Sequence, residues 1–326
     1  MNEGDLAIAM EALRHYAIQA DTVELIGQSA NTVFKVTDRQ QSRYSLRLHA
    51  SKSESMDPIW LAPRVISSEL AWLEELSGET DVVVPVPRKN SSGEYVTETS
   101  GKRWTLLGWM EGEQKPFIAT AEEAGQIGRM MGRLHRQASG WKVPDSFSRP
   151  AFDGSRIEQA LGKVRLWSED GRIPQENVEL LKEAGQRVLA MMNSLDRTPE
   201  HWGIIHADLI PSNLLFGSGE CRPIDFGACG FGYFLFDLGW TFSYIHPALR
   251  ACFLEAYSEQ FSLPEHHVER LEGFLVAAQL ETMNFWLGLP DASAWLPDHI
   301  DKLTHREFRH YVDGDRFLFT GTPYWE

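Results

Sequence analysis

Between Ile204 and Gly227 the chain reads IIHADLIPSNLLFGSGECRPIDFG, and few folds can gather the polar residues of that run at one place. His206 and Asp208 come first, with Asn213 five positions after Asp208. Two short apolar strands follow, Asn213 to Phe216 and Cys221 to Ile224, around a Gly217-Ser218-Gly219 turn. Such a hairpin brings its two ends side by side and fixes the separation of Asn213 from Asp225, which opens Asp225-Phe226-Gly227. Two hard oxygen donors at that spacing suit Mg²⁺. The upstream carboxylate of Asp208 suits orienting and deprotonating a hydroxyl, and phosphoryl transfer from a nucleoside triphosphate needs both elements. Each fragment alone is common. Turn capping by Asp208 and Asn213 and a strand-ending Asp225 would leave their joint spacing unexplained.

The run HADLIPSNLLF…PIDFGACGFGYFLFDLGW resembles the aminoglycoside phosphotransferase and choline kinase-like superfamily. The resemblance implies an α+β, bilobal protein-kinase-like fold, with an antiparallel sheet and one main helix in the N-lobe and a mostly helical C-lobe. It also implies ATP as co-substrate, Mg²⁺ as cofactor and a small-molecule acceptor. Ala207 stands where protein kinases usually carry Arg, and Phe231 to Leu238 runs directly into an apolar helical segment without an A-P-E sequence. Both favour the small-molecule branch. A protein serine/threonine kinase of the same fold is the alternative, and a nucleotide-binding pseudokinase the second. The intact set Asp208, Asn213 and Asp225 speaks against the latter.

The pattern is strand-rich with one helix up to Trp109 and mostly helical after Gly112. The expected division is a nucleotide-binding lobe over 1–108, a hinge over 109–112, and a catalytic and acceptor-binding lobe over 113–326. Val23 to Ile26 and Thr32 to Val36 read as a hairpin around Gly27 to Asn31, whose backbone N–H groups, with Ser29 and Asn31, could approach phosphate oxygens. The next strand, Arg43 to Leu48, carries Arg47 where the family usually has Lys. A guanidinium can still grip phosphate, with a different geometry. Pro63 and Gly78 bracket a helix with an Ile66, Leu70, Leu73 stripe. Glu69 beside that stripe is the natural partner of Arg47. Val82 to Val84, Glu94 to Glu98 and Arg103 to Leu107 would complete the sheet. By resemblance, adenine hydrogen-bonds the Gly108 carbonyl and the Met110 N–H.

In the second lobe, Thr120 to Glu123 is a capping box ahead of Ile127, Met130, Met131, Leu134 and Ala138. His135 beside that face reads as a core histidine. By resemblance, His206 braces the catalytic loop, and Asp237 does similar work. From Glu272 to Leu289 a helix carries Val276, Leu280, Met283 and Leu287 on one face. Its other face bears Ala277, Glu281, Asn284 and Gly288, so Glu281 and Asn284 are the candidates for an acceptor pocket that reads an amine. Trp240, Trp286, Trp295 and Trp325 fall in the same lobe, where aromatic faces could hold an ammonium.

A formal charge of −15 argues against nucleic-acid or membrane partners and fits a cationic acceptor. Cys221, Cys229 and Cys252 form no metal or disulfide pattern, which suits a cytoplasmic location. The start is an acidic amphipathic helix rather than a leader peptide. Homoserine, choline, hydroxylysine, aminoglycosides and sugars all remain open as acceptors, and nothing in the sequence sets an oligomeric state.

Overall fold

The computed structural model describes residues 3–28, 31–50, 57–289 and 291–322. The chain forms two compact units, one of residues 1–111 with 143–149 and the other of 112–142 with 150–326.

The first unit holds α1 (Glu3–Leu13), β1 (Ala20–Gln28), β2 (Asn31–Asp38), β3 (Arg43–His49), α2 (Pro63–Glu79), β4 (Pro87–Arg88), β5 (Thr97–Thr99) and β6 (Lys102–Gly108). The strands form an antiparallel sheet in the order β1-β2-β3-β6-β4, with β5 on β6. Strand alternation decides its two faces. Phe34, Val36, Leu46, Trp104 and Leu106 are buried in one core with Ala9, Ala12 and Leu13 of α1. The intervening residues face the other way, and the register sets Val33, Arg47 and Thr105 in one cross-strand row. Proline at N1 starts α2, as its fixed φ favours. Val82 to Val84, expected as a strand, make no ladder pairing and the strand is Pro87–Arg88 instead. Pro85 and Pro87 have no N–H to donate, so hydrophobic burial of Val82 and Val84 is not accompanied by pairing.

The second unit contains β7 (Glu113–Gln114), α3 (Ala121–Gly140), β8 (Ala151–Phe152), α4 (Gly154–Glu169), α5 (Gln175–Asn193), β9 (Trp202–Ile205), β10 (Leu214–Gly217), β11 (Glu220–Pro223) and β12 (Gly230–Tyr233). Helices α6 (Phe234–Phe242), α7 (Pro247–Ser258), α8 (His267–Trp286), α9 (Leu296–Leu303) and α10 (Arg309–Asp313) follow. Two three-stranded sheets, β11-β10-β7 and β8-β12-β9, hold the stretch from Ile204 to Gly227. The capping box that opens α3 is present in both directions, Thr120 and Glu123 each accepting from the other's backbone N–H. Helix α3 meets α7 at glycines. A Cβ at Gly128 would lie 2.2 Å from the Phe253 carbonyl oxygen, and one at Gly132 would lie 2.8 Å from that of Tyr257. Backbones can approach this closely only where no side chain intervenes. Among the described residues no helix is long and apolar enough to cross a membrane.

Candidate active site

The loop after β9 is built around α6. Asp237, in the first turn of α6, is wholly buried and accepts the N–H of His206 at 2.9 Å and of Ala207 at 2.8 Å. Those bonds hold Ala207 at φ 61°, a left-handed conformation that residues with a Cβ adopt only under constraint. His206 completes the brace. Its Nδ1 accepts the Asp208 N–H at 3.3 Å and its Nε2 faces the Ile224 carbonyl at 3.1 Å, so the bonds select the neutral tautomer protonated on Nε2. Its ring also packs on Phe226, 4.5 Å between centroids. With both nitrogens engaged by backbone, His206 has no free lone pair with which to act as a base.

Asn213 ties the loop to the hairpin. Its amide nitrogen donates to the Asp208 carbonyl and to Asp208 Oδ2, each at 2.8 Å. The β10–β11 ladder then runs from Leu214↔Pro223 to Gly217↔Glu220. Asp225 emerges from it at φ 60° and ψ 65°, a second left-handed non-glycine residue in the same motif. Burial, and then the negative charge of Asp225, push the Asp208 carboxyl up to about 7. The two carboxylates are thus close enough for their charges to repel, a field that a divalent cation would relieve. Among the described residues no three His, Cys, Asp or Glu side chains cluster as a metal cage. A donor set of one amide oxygen and one carboxylate fits Mg²⁺, which takes most of its remaining oxygens from phosphate and water.

In the first unit, Arg47 and Glu69 form a buried ion pair, Nη2 to Oε1 2.7 Å, with side chains 7% and 2% exposed. Removing one partner of such a pair strands the other charge, which costs about 3–5 kcal/mol. Arg47→Met is thus expected to lower unfolding stability by about that amount, read by urea denaturation. At the end of β6 the Gly108 N–H bonds Val86 and the Trp109 N–H bonds the Arg43 carbonyl at 3.0 Å. No such backbone bond takes up the Met110 N–H among the described residues. Lys35 of β2 lies over the Trp109 ring, its Nζ 4.9 Å from the centroid. Asn31 pairs with His49 at the start of β2, whereas Ser29 lies outside the described residues.

Glu281 and Asn284 do come together, but not on an open face. Both are 5% exposed and Ala277 is fully buried, because α8 is covered by α4 as well as α6; of that stripe Gly288 alone is exposed. Arg156 of α4 forks onto Glu281, its Nε 3.0 and 3.1 Å from the two carboxylate oxygens. Asn284 donates to Glu281 at 2.9 Å and to the Arg156 carbonyl at 2.9 Å. The periodicity of one helix carries no signal of Arg156, which lies on another. Glu281→Gln is expected to destabilise the second unit toward the low end of the roughly 3–5 kcal/mol of a broken buried pair, since Arg156 keeps 20% of its side chain exposed. The KM for ATP should not change; thermal melting and steady-state kinetics check the two halves.

The tryptophans also sort differently. Trp286 and Trp295 pack edge-on against each other at 5.5 Å, with His299 4.8 Å from Trp286, so the rings fill one another's space rather than leaving room for a cation. Trp240 is different. Its buried indole N–H completes no hydrogen bond, yet lies near enough to Asp208 to favour the carboxylate. Its position three residues after Asp237 on α6, hence on the same helix face, is the signal that could have singled it out.

Comparison with known proteins gives relatives of one kind. The chain is 24% identical over 243 residues to the amicoumacin kinase of Bacillus subtilis (strain 168), a match spanning 71% of this chain and 65% of that protein. The structure of a microcompartment-associated aminopropanol kinase superposes with a TM-score of 0.77 at 22% identity, covering 96% of this chain and all of that one. Amicoumacin kinase hAmiN, solved with AMP-PNP, Ca²⁺ and Ami, superposes with a TM-score of 0.75 at 16% identity, covering 99% and 97%. The fold expected from the sequence is therefore the fold observed. The profile of the phosphotransferase enzyme family (APH) matches residues 22–273, so the chain belongs to that family.

Proposed function

We propose that this chain is an ATP- and Mg²⁺-dependent kinase that phosphorylates a hydroxyl of a small, amine-bearing metabolite or antibiotic. The observation that carries the reading is Asp208, half-buried within electrostatic reach of Asp225 and bonded by Asn213, an acid held where a proton can be taken up. In this mechanism Asp208 orients the acceptor hydroxyl and accepts its proton as the oxygen attacks the terminal phosphorus, the bond to the β-phosphate breaks and ADP leaves. Asn213 and Asp225 would hold Mg²⁺, which when bound neutralises charge on the phosphate oxygens. Arg47, kept in place by Glu69, binds phosphate oxygens. The Gly108 carbonyl and Met110 N–H bind adenine, and Ser29 and Asn31 contact the phosphates. His206 and Asp237 support the catalytic loop.

The small-molecule reading is favoured over a protein kinase because β12 follows the Asp225 segment and α6 begins at Phe234, leaving no length for a protein-docking activation loop. An amino alcohol as acceptor draws support from the aminopropanol kinase, whose named substrate carries both groups. Glu281 is not assigned to the acceptor's amine, because Arg156 already meets its charge. An ATP-consuming enzyme of this kind belongs in the cytoplasm. Incubating the protein with Mg·ATP and a panel of amino alcohols, hydroxy amino acids, aminoglycosides and sugars should give a phosphoryl mass gain on one class only. Gain on none of them, with transfer to a protein hydroxyl, would move the reading to a protein kinase.

A further inference from the structure

A buried polar chain runs from α7 through α3 to the residue before Asp208. The Tyr257 hydroxyl lies 2.8 Å from His135 Nδ1, and His135 Nε2 lies 3.2 Å from Asp237 Oδ2. Asp237 in turn accepts the N–H groups of His206 and of Ala207, the left-handed residue that aims Asp208. None of these residues is more than 2% exposed, so water does not compete for any link. The His135 ring is also fixed in orientation, stacked on Phe234 at 4.7 Å and 25° and edge-on to Tyr257 at 5.6 Å.

We propose that Tyr257 and His135 are positioning residues for Asp208, acting through Asp237; this rests on the kinase reading above. Bond by bond, the polarity of the chain is determined. Burial pushes the Tyr257 hydroxyl well above its ordinary range, so it stays protonated and donates to Nδ1. The imidazole proton is then on Nε2, where it donates to Asp237. Burial alone would raise the Asp237 carboxyl, but the bond from His135 and its fellow donors outweigh burial and hold it below the usual range. An ionised Asp237 can accept both backbone N–H groups at once, which a protonated one could not. A buried polar chain is weak evidence of stability, because apolar residues of equal volume often do as well. What this one does that apolar packing cannot is impose a strained φ on Ala207 and thereby set the direction of Asp208.

Tyr257→Phe removes only the terminal hydroxyl, and His135→Leu removes the link. His135→Gln restores an amide donor toward Asp237. Hydrolysis of Mg·ATP, with water as the acceptor, gives a probe that needs no identified substrate. The expected result is a fall in kcat of about tenfold or more for Tyr257→Phe and His135→Leu, the range for groups that orient a reacting residue from behind, with KM for ATP unchanged and partial recovery in His135→Gln. Amide hydrogen exchange in a peptide covering 204–209 should rise in the same two variants while a peptide from α5 does not. If Tyr257→Phe, the milder change, leaves both kcat and that exchange within twofold of wild type, the chain is packing only and the proposal is overturned. Faster exchange without loss of kcat overturns it as well. A wild-type protein that transfers phosphate neither to water nor to any member of the acceptor panel defeats the kinase reading itself, a result distinct from either.

Discussion

Asp225→Ala is expected to abolish phosphoryl transfer and to weaken binding of Mg·ATP more than of metal-free ATP. In the proposed mechanism the residue is one of two metal donors flanking the hairpin, and the only charged one of the two. Losing a preorganised group that stabilises transition-state charge costs on the order of 10²–10³ in kcat, and loss of the metal should place this variant at or beyond the upper end. Isothermal titration with and without Mg²⁺, beside turnover of ATP, makes the measurement. Unchanged Mg²⁺-dependent turnover in this variant excludes Asp225 as a metal ligand.

Asp208→Asn should separate chemistry from binding. The amide keeps the size of the side chain and can still meet Asn213, so nucleotide and metal affinities should stay near wild type. Turnover should fall by about 10²–10⁴-fold, the usual contribution of a positioned general base. The contrast with Asp225→Ala is the informative part, one variant losing catalysis with binding and the other losing catalysis alone. A near-normal kcat for Asp208→Asn would remove the base from the mechanism.

The parts of the fold that could be read from the sequence are those encoded locally. The hairpin after Asn213 declared itself by apolar runs around glycines, and α3 by its capping box and helical stripe. The Arg47–Glu69 pair could be anticipated because each sits at a definable place on its own strand or helix, and the structure shows them 2.7 Å apart. Partnerships between distant elements were not legible. Glu281 looked available on its helix because Arg156 lies on α4, whose packing on α8 no single-helix pattern encodes. His135 read as a satisfied core histidine, and it is satisfied. Its partners come from α6 and α7, so only the folded chain shows that the satisfaction leads to Ala207.

The glycine contact of α3 with α7 has a bearing on how such a protein can change over generations. Tyr257 rides on α7 and His135 on α3, one on each side of the seam where Gly128 and Gly132 meet Phe253 and Tyr257. A single methyl group at Gly128 has nowhere to go but into a backbone carbonyl, so the two helices would have to part. Residues with no functional groups at all would then govern activity as tightly as the acids do. New acceptor preferences can be explored through side chains lining the rest of the helical unit, while drift at this seam is closed. Random mutagenesis for altered substrates should return many changes elsewhere and none at Gly128.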